Sequence, residues 1–214
     1  MKIIQNLVDP SKYSIKCPYT MDAKYIVVHN TNNDASAQNE VAYMKRNNNQ
    51  VSFHYAVDDV EVVQGIPENR NAWHAGDGTN GKGNREGLSI EICYSKSGGA
   101  KFTKAEQNAA KLIADILKRK GWGIDKVTKH QDYSGKYCPH RTLDLGWERF
   151  LNMIKKELSN KNKTVDNTPD DYAKEAIDWA IKNGILKGTL EGDYKLHSNV
   201  TRQDALVFLH RALK

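Results

Sequence analysis

No stretch of the 214-residue chain approaches the ~20 consecutive apolar residues that a bilayer-spanning helix needs, which excludes membrane insertion of that kind. Nor does the start read as a secretory signal. Met1-Lys2-Ile3-Ile4-Gln5-Asn6 carries one cation with no long apolar segment behind it. A chain synthesised in the cytoplasm is expected, and any export needs another route. Cysteine is scarce: Cys17, Cys93 and Cys138 are too few, and odd in number, for a disulfide scaffold. They are left as free thiols, or one of them has a metal or catalytic role. Hydrophobic residues at 39% and charged residues at 27% exclude a disordered or fibrous chain.

What is present begins with charge. The net is +6, unevenly spread: residues 164–214 carry 7 basic and 8 acidic side chains, so the first 163 carry +7. A basic body favours polyanions, whether nucleic acid, anionic lipid or an anionic cell wall. Ordinary solubility explains it equally well.

Residues 159–167 are polar, Asn-rich and without apolar periodicity, which reads as a linker between a body (1–158) and a tail (168–214). In the body, strands are expected at 24–29, 51–57, 61–64, 88–93 and 127–130, with a hairpin at Asp58-Asp59. Helices are expected at 36–46, at 103–120 opened by a Thr103-Lys104-Ala105-Glu106 capping box and closed by Gly121, and at 147–158. Residues 65–87 read as one long loop, a length usually associated with function or disorder. The order implies an α/β fold, a central mixed sheet flanked by helices. The tail reads as helix, turn, helix. Thr168 caps the first, with Ala173, Ala176, Ile177, Ala180 and Ile181 as its stripe. The second starts at Thr201, with Ala205, Leu206, Leu209 and Leu213 inward.

A zinc hydrolase needs three protein ligands and one open position, and thiolate and imidazole are suitable donors. His29 ends an expected strand. His130-Gln131-Asp132-Tyr133-Ser134-Gly135-Lys136-Tyr137-Cys138-Pro139-His140 offers an imidazole and a thiol across a short loop. Such spacing alone is a weak metal signal, and Cys138 reads equally as a small buried hydrophobe. Strand alternation places Ile90 and Ile92 on one face and Ser89, Glu91 and Cys93 on the other. A carboxylate there is either ion-paired or a general base.

Four segments in order resemble the zinc-dependent type 2 N-acetylmuramoyl-L-alanine amidases. This family includes many phage endolysins and is related in fold to the peptidoglycan recognition proteins. The segments are Val27-Val28-His29-Asn30-Thr31, Asn71-Ala72-Trp73-His74-Ala75-Gly76, Ser89-Ile90-Glu91-Ile92 and the His130–His140 cluster. The resemblance implies zinc held by His29, His130 and Cys138, Glu91 as general base and Lys136 as oxyanion stabiliser. The substrate it implies is bacterial peptidoglycan, cut between N-acetylmuramic acid and L-alanine. His74, Trp73, Phe53 and His140 are expected at the substrate cleft, His140 alternatively capping the Cys138 turn. Asp132 is expected to orient a ligand imidazole, and His54 to be structural. Phe53 departs from the family's Tyr, and Tyr55 is expected to share its face. Two competing readings are a wall-recognition protein without catalysis, against which Cys138 speaks, and a nucleic-acid binder, for which no motif beyond charge exists.

The tail resembles a single S-layer homology repeat through Ala176-Ile177-Asp178-Trp179-Ala180, Gly184-Ile185-Leu186-Lys187-Gly188 and Thr201-Arg202-Gln203-Asp204-Ala205-Leu206. That implies binding of a secondary cell-wall polymer, and its small core suits association with other copies of the chain. Action at the wall then implies release through a membrane hole made by another protein, a holin.

Overall fold

The computed structural model describes residues 3–159, 167–188, 194–196, 200 and 202–213. By internal contacts the chain divides into two units, Met1–Ser159 and Asn160–Lys214.

The first unit is built on one six-stranded sheet. Its strands are β1 (Ile3–Gln5), β2 (Tyr25–Asn30), β3 (Tyr55–Val57), β4 (Val62–Gln64), β5 (Gly87–Ile92) and β6 (Val127–Lys129). They lie in the order β1-β4-β3-β5-β2-β6, with β3 and β4 antiparallel and every other pairing parallel. The helices of this unit are α1 (Tyr13–Lys16), α2 (Ala37–Arg46), α3 (Lys82–Glu86), α4 (Gly99–Lys120), α5 (Gln131–Ser134), α6 (His140–Asp144) and α7 (Trp147–Ser159).

Alternation along the strands sorts side chains into two cores. Ile26, Val28, Tyr55, Val57, Val62, Leu88, Ile90 and Ile92 pack with Phe102, Ala109, Leu112, Ile113 and Ile116 of α4 and with Phe150 and Ile154 of α7. On the other face Ala56, Val63 and Cys93 pack with Ala37, Val41 and Met44 of α2. The mixed sheet with helices on both faces agrees with the expectation.

Local details differ from the sequence reading. Only Tyr55–Val57 of the expected 51–57 strand joins the ladder. The preceding amides find other acceptors: Ser52 N donates to Trp73 O, Phe53 N to Met44 Sδ and His54 N to Ser89 Oγ. The bend at His54 resets the alternation, so Phe53 belongs to the α2 core and Tyr55 to the α4 core, not to one face. Helix α4 starts at Gly99, four residues before the expected capping box. Thr103 lies inside it, with Oγ1 donating to Gly99 O. Glu106 cannot cap, because it is buried and paired with Arg149 of α7 at 2.6 Å. The hairpin forms as expected: Asp58 Oδ1 accepts from Val60 N and Glu61 N, while Oδ2 accepts from Ala37 N at the head of α2. The expected 65–87 loop contains α3. β1, α1, α5 and α6 have no counterpart in the sequence reading.

The second unit contains α8 (Lys174–Lys182), preceded by a tight 3-10 turn at Asp171–Ala173, and α9 (Arg202–Ala212). The start expected at Thr168 comes later, because Asp170 is still extended. Leu206, Leu209 and Leu213, expected inward, are exposed, as is Ala176; Ala205 and Phe208 form the more covered side of α9. Thr201 and most of the expected linker, 160–166, fall outside the described residues. No described helix is long and apolar enough to cross a membrane.

Candidate active site

Parallel pairing decides where the chemistry gathers. β2, β5 and β6 run the same way, so their carboxyl ends share one edge of the sheet, the usual place for a site in such folds. The β2–β5 register sets His29 directly opposite Glu91. His130 immediately follows β6, and its amide donates to Val28 O on β2. The chain then makes the single turn of α5 and returns, with Gln131 N donating to Cys138 O. That return carries Cys138 back beside His29.

Three donor atoms converge. His29 Nδ1 lies 3.1 Å from His130 Nδ1, Cys138 Sγ lies 4.0 Å from His29 Nδ1, and all three lie within 4.8 Å of one another. Tetrahedral zinc with Zn–N of about 2.0–2.1 Å and Zn–S of about 2.3 Å spaces its donors roughly 3.3–3.7 Å apart. The trio fits such an ion. Burial, then the His74 and His130 rings and Lys136, hold His29 well below the usual imidazole range, in the neutral form a metal requires. His130 is held down by burial and by Lys136. Burial pushes the Cys138 thiol up to about 11, with Glu91 adding to the effect. Asn30 and His140 backbone hydrogen bonds and Lys136 oppose it. A divalent cation reverses that balance and favours the thiolate.

Glu91 Oε1 stands 4.0 Å from His29 Nδ1. Burial first and the charge of Glu40 second, opposed by Lys136, raise its carboxyl to about 8. Lys136 is exposed but lines the same hollow, of about 190 Å³, together with His29, Glu40, Phe53, Glu91, His130 and Cys138. A second hollow of about 480 Å³, lined by Trp73, Gly76, Thr79, Asn84 and Ser134, shares His74, His130 and Lys136 with the first. The two make one cleft. Gly76 holds it open: at φ +68° it favours glycine, and a Cβ there would sit 3.3 Å from Ser134 and 3.6 Å from His130 Nε2.

The other expected site residues are placed less simply. His74 has both ring nitrogens engaged, Nδ1 at 3.0 Å from His29 Nε2 and Nε2 at 3.3 Å from Gly87 O. The carbonyl can only accept. His74 Nε2 therefore carries its proton, His29 donates from Nε2, and His29 Nδ1 is left free towards the trio. Trp73 borders the larger hollow, but its ring is buried, donates Nε1–H to Ile15 O and meets Tyr19 edge-on. His140 turns its Nε2 towards Ser95 O at 3.4 Å. Asp132 does not reach a ligand imidazole; it accepts from the Lys129 amide and ammonium, while the His130 ring bonds the Ala75 backbone. His54 is buried between Ser89 and Arg70 O.

Sequence reasoning missed Thr31, Glu40 and Asn84. Asn84 Oδ1 accepts from both His74 N and Ala75 N, and Asp77 accepts from Gly83 N and Asn84 N, so the two side chains staple the 74–84 loop. The local density of Asn, Asp and Gly was the available signal.

A family model described as N-acetylmuramoyl-L-alanine amidase, Amidase_2, matches residues 19–141. The chain is 48% identical over 214 residues to the N-acetylmuramoyl-L-alanine amidase CwlA of Bacillus subtilis (strain 168), covering 100% of this chain and 79% of that protein. It is 56% identical over 173 residues to the N-acetylmuramoyl-L-alanine amidase XlyB of the same organism, covering 78% of this chain but about half, 55%, of that relative's length. Among solved structures, PlyL matches with a TM-score of 0.70 and 57% identity, over 72% of this chain and 97% of that one. Likeness of this extent in sequence and in fold, centred on the segment that carries the converging side chains, makes the chain a member of the Amidase_2 family of N-acetylmuramoyl-L-alanine amidases, and so a hydrolase.

Proposed function

We propose that this chain hydrolyses the amide between N-acetylmuramic acid and L-alanine in bacterial peptidoglycan, as a cell-wall lytic enzyme, with zinc held by His29, His130 and Cys138. One observation carries the reading: two imidazoles and a thiol converge within 4.8 Å beside the half-buried Glu91 carboxylate, at the carboxyl edge of the sheet.

A bound zinc ion supplies Lewis acidity, polarising the scissile carbonyl and lowering the pKa of water. The remaining work falls to side chains. Glu91, half-buried with Oε1 4.0 Å from the His29 ring, is placed to take a proton from the attacking water. The oxygen then bonds to the lactyl carbonyl carbon, and the Lys136 ammonium offsets the charge growing on the carbonyl oxygen. Glu91 returns its proton to the alanine nitrogen as the C–N bond breaks, leaving a lactyl carboxylate and a free α-amino group. His74 orients the His29 ring rather than meeting substrate, and Phe53 supplies an apolar wall. The larger hollow beside Trp73 offers room for the glycan or the stem peptide.

Digestion of purified peptidoglycan, with and without a chelator, tests this. New alanine amino termini that disappear with the chelator, without new reducing sugars, are expected. New reducing ends would mean a glycosidase and end the proposal.

The second unit, on its resemblance to an S-layer homology repeat, is assigned to a secondary cell-wall polymer, with self-association completing its small core. Removing residues 165–214 should reduce binding to intact walls and leave the metal content unchanged. Undiminished wall binding would remove this assignment.

A further inference from the structure

One wall of the smaller hollow has no part in the chemistry just described. Thr31 follows the end of β2 and lines the hollow, and its hydroxyl is buried without a hydrogen-bond partner. An unpaired buried hydroxyl destabilises a fold, and each such group calls for a reason. From α2, Glu40 lines the same hollow. Its Oε1 accepts from Asn33 Nδ2 at 2.5 Å, while Oε2 has no hydrogen-bond partner among the described residues. The pair therefore offers a hydroxyl that can donate and a carboxylate oxygen that can only accept. A secondary amide is the complementary group: its N–H suits the carboxylate and its carbonyl suits the hydroxyl.

We propose that Thr31 and Glu40 form a subsite for the secondary amide that flanks the scissile bond, and so select which carbonyl of the substrate meets Glu91. This rests on the amidase reading above. Two amides flank that bond, the acetamido group on the sugar side and the next peptide bond on the stem side. Both have the chemistry the subsite recognises.

The test measures binding to the full-length protein by calorimetry in a Glu91→Gln background. The probes are N-acetylmuramoyl-L-alanine, and the same compound extended by D-isoglutamine. Thr31→Val and Glu40→Gln should each weaken binding at least fivefold, and Thr31→Ser should restore it. A loss with both probes assigns the subsite to the acetamido group; a loss with the longer probe alone assigns it to the stem peptide. Thr31→Val should leave the Tm unchanged or raised, because it removes an unpaired hydroxyl, whereas a purely structural Thr31 would lower it. In the otherwise native enzyme KM should rise while kcat stays within threefold. Undiminished binding of both probes by both variants overturns the subsite, as does failure of the parent to bind either probe. If the native enzyme cuts peptidoglycan and the variants bind normally, the subsite alone fails. If the variants lose binding but the native enzyme frees no alanine amino group, the amidase reading alone fails.

Discussion

The Sγ of Cys138 lies 4.0 Å from Nδ1 of His29, although 109 positions separate them in the chain. The contact exists because β6 pairs in parallel with β2 and the segment after it folds back in one helical turn. Cys138→Ala should therefore abolish stoichiometric zinc, read by elemental analysis of the purified protein. His74→Ala leaves the three donors in place but removes the partner of His29 Nε2, and should weaken zinc about 10–100-fold. Equal zinc content and affinity in both variants would remove the metal centre.

Glu91 is close to the trio without belonging to it. Glu91→Gln keeps the side chain's size and deletes its basicity. Zinc content should remain at the native level while kcat falls by roughly 10²–10⁴, as expected for loss of a positioned general base. A kcat within a factor of ten of the native value would assign the proton transfer elsewhere.

His54 ties stability to pH. Burial lowers its ring to about 4, with the hydrogen bond to Arg70 O and the charge of Glu68 opposing. The unfolded ring titrates near ~6.5, so between those values the unfolded chain holds the extra proton. Stability from this site is fully present above pH ~6.5 and is lost as pH falls towards 4, by on the order of 3 kcal/mol. Urea denaturation across that window should show the slope, and His54→Asn should make it shallower, the lowered His29, His74 and His130 rings accounting for the rest. An unchanged slope would place the acid sensitivity in another group.

Helices α4 and α7 are joined by a pair of unequal exposure: Glu106 is buried, and Arg149 is 40% exposed. Arg149→Ala would strand a carboxylate whose Oε1 already lacks a partner. The expected loss is about 2 kcal/mol, below the figure for a fully buried pair because solvent reaches the guanidinium. The double variant Arg149→Met, Glu106→Leu should recover much of it, by denaturant midpoint. Full stability of Arg149→Ala would mean the pair is ornamental.

Periodicity made much of this protein legible before any coordinates. The β-branched run ending at His29, the alternation that isolates Glu91 from Ile90 and Ile92, and the long apolar face of α4 are local patterns that a backbone must obey. Family likeness, rather than spacing, singled out His29, His130 and Cys138 together. Other features could not be read locally. The Thr103–Glu106 box looked like a helix start, but Glu106 is drawn to Arg149, 43 positions away. Phe53 and Tyr55 looked like neighbours on one face, until the amides before β3 found acceptors on Trp73, Met44 and Ser89. His74 lines the cleft, but the partners of its two nitrogens, His29 Nε2 and Gly87 O, could not be read from its loop. Local propensity sets elements and faces, because it acts between residues a few positions apart. The placements of His74, Thr31 and Glu40 depend on strand order and loop return, and no short-range pattern encodes a partner brought near only when the sheet closes.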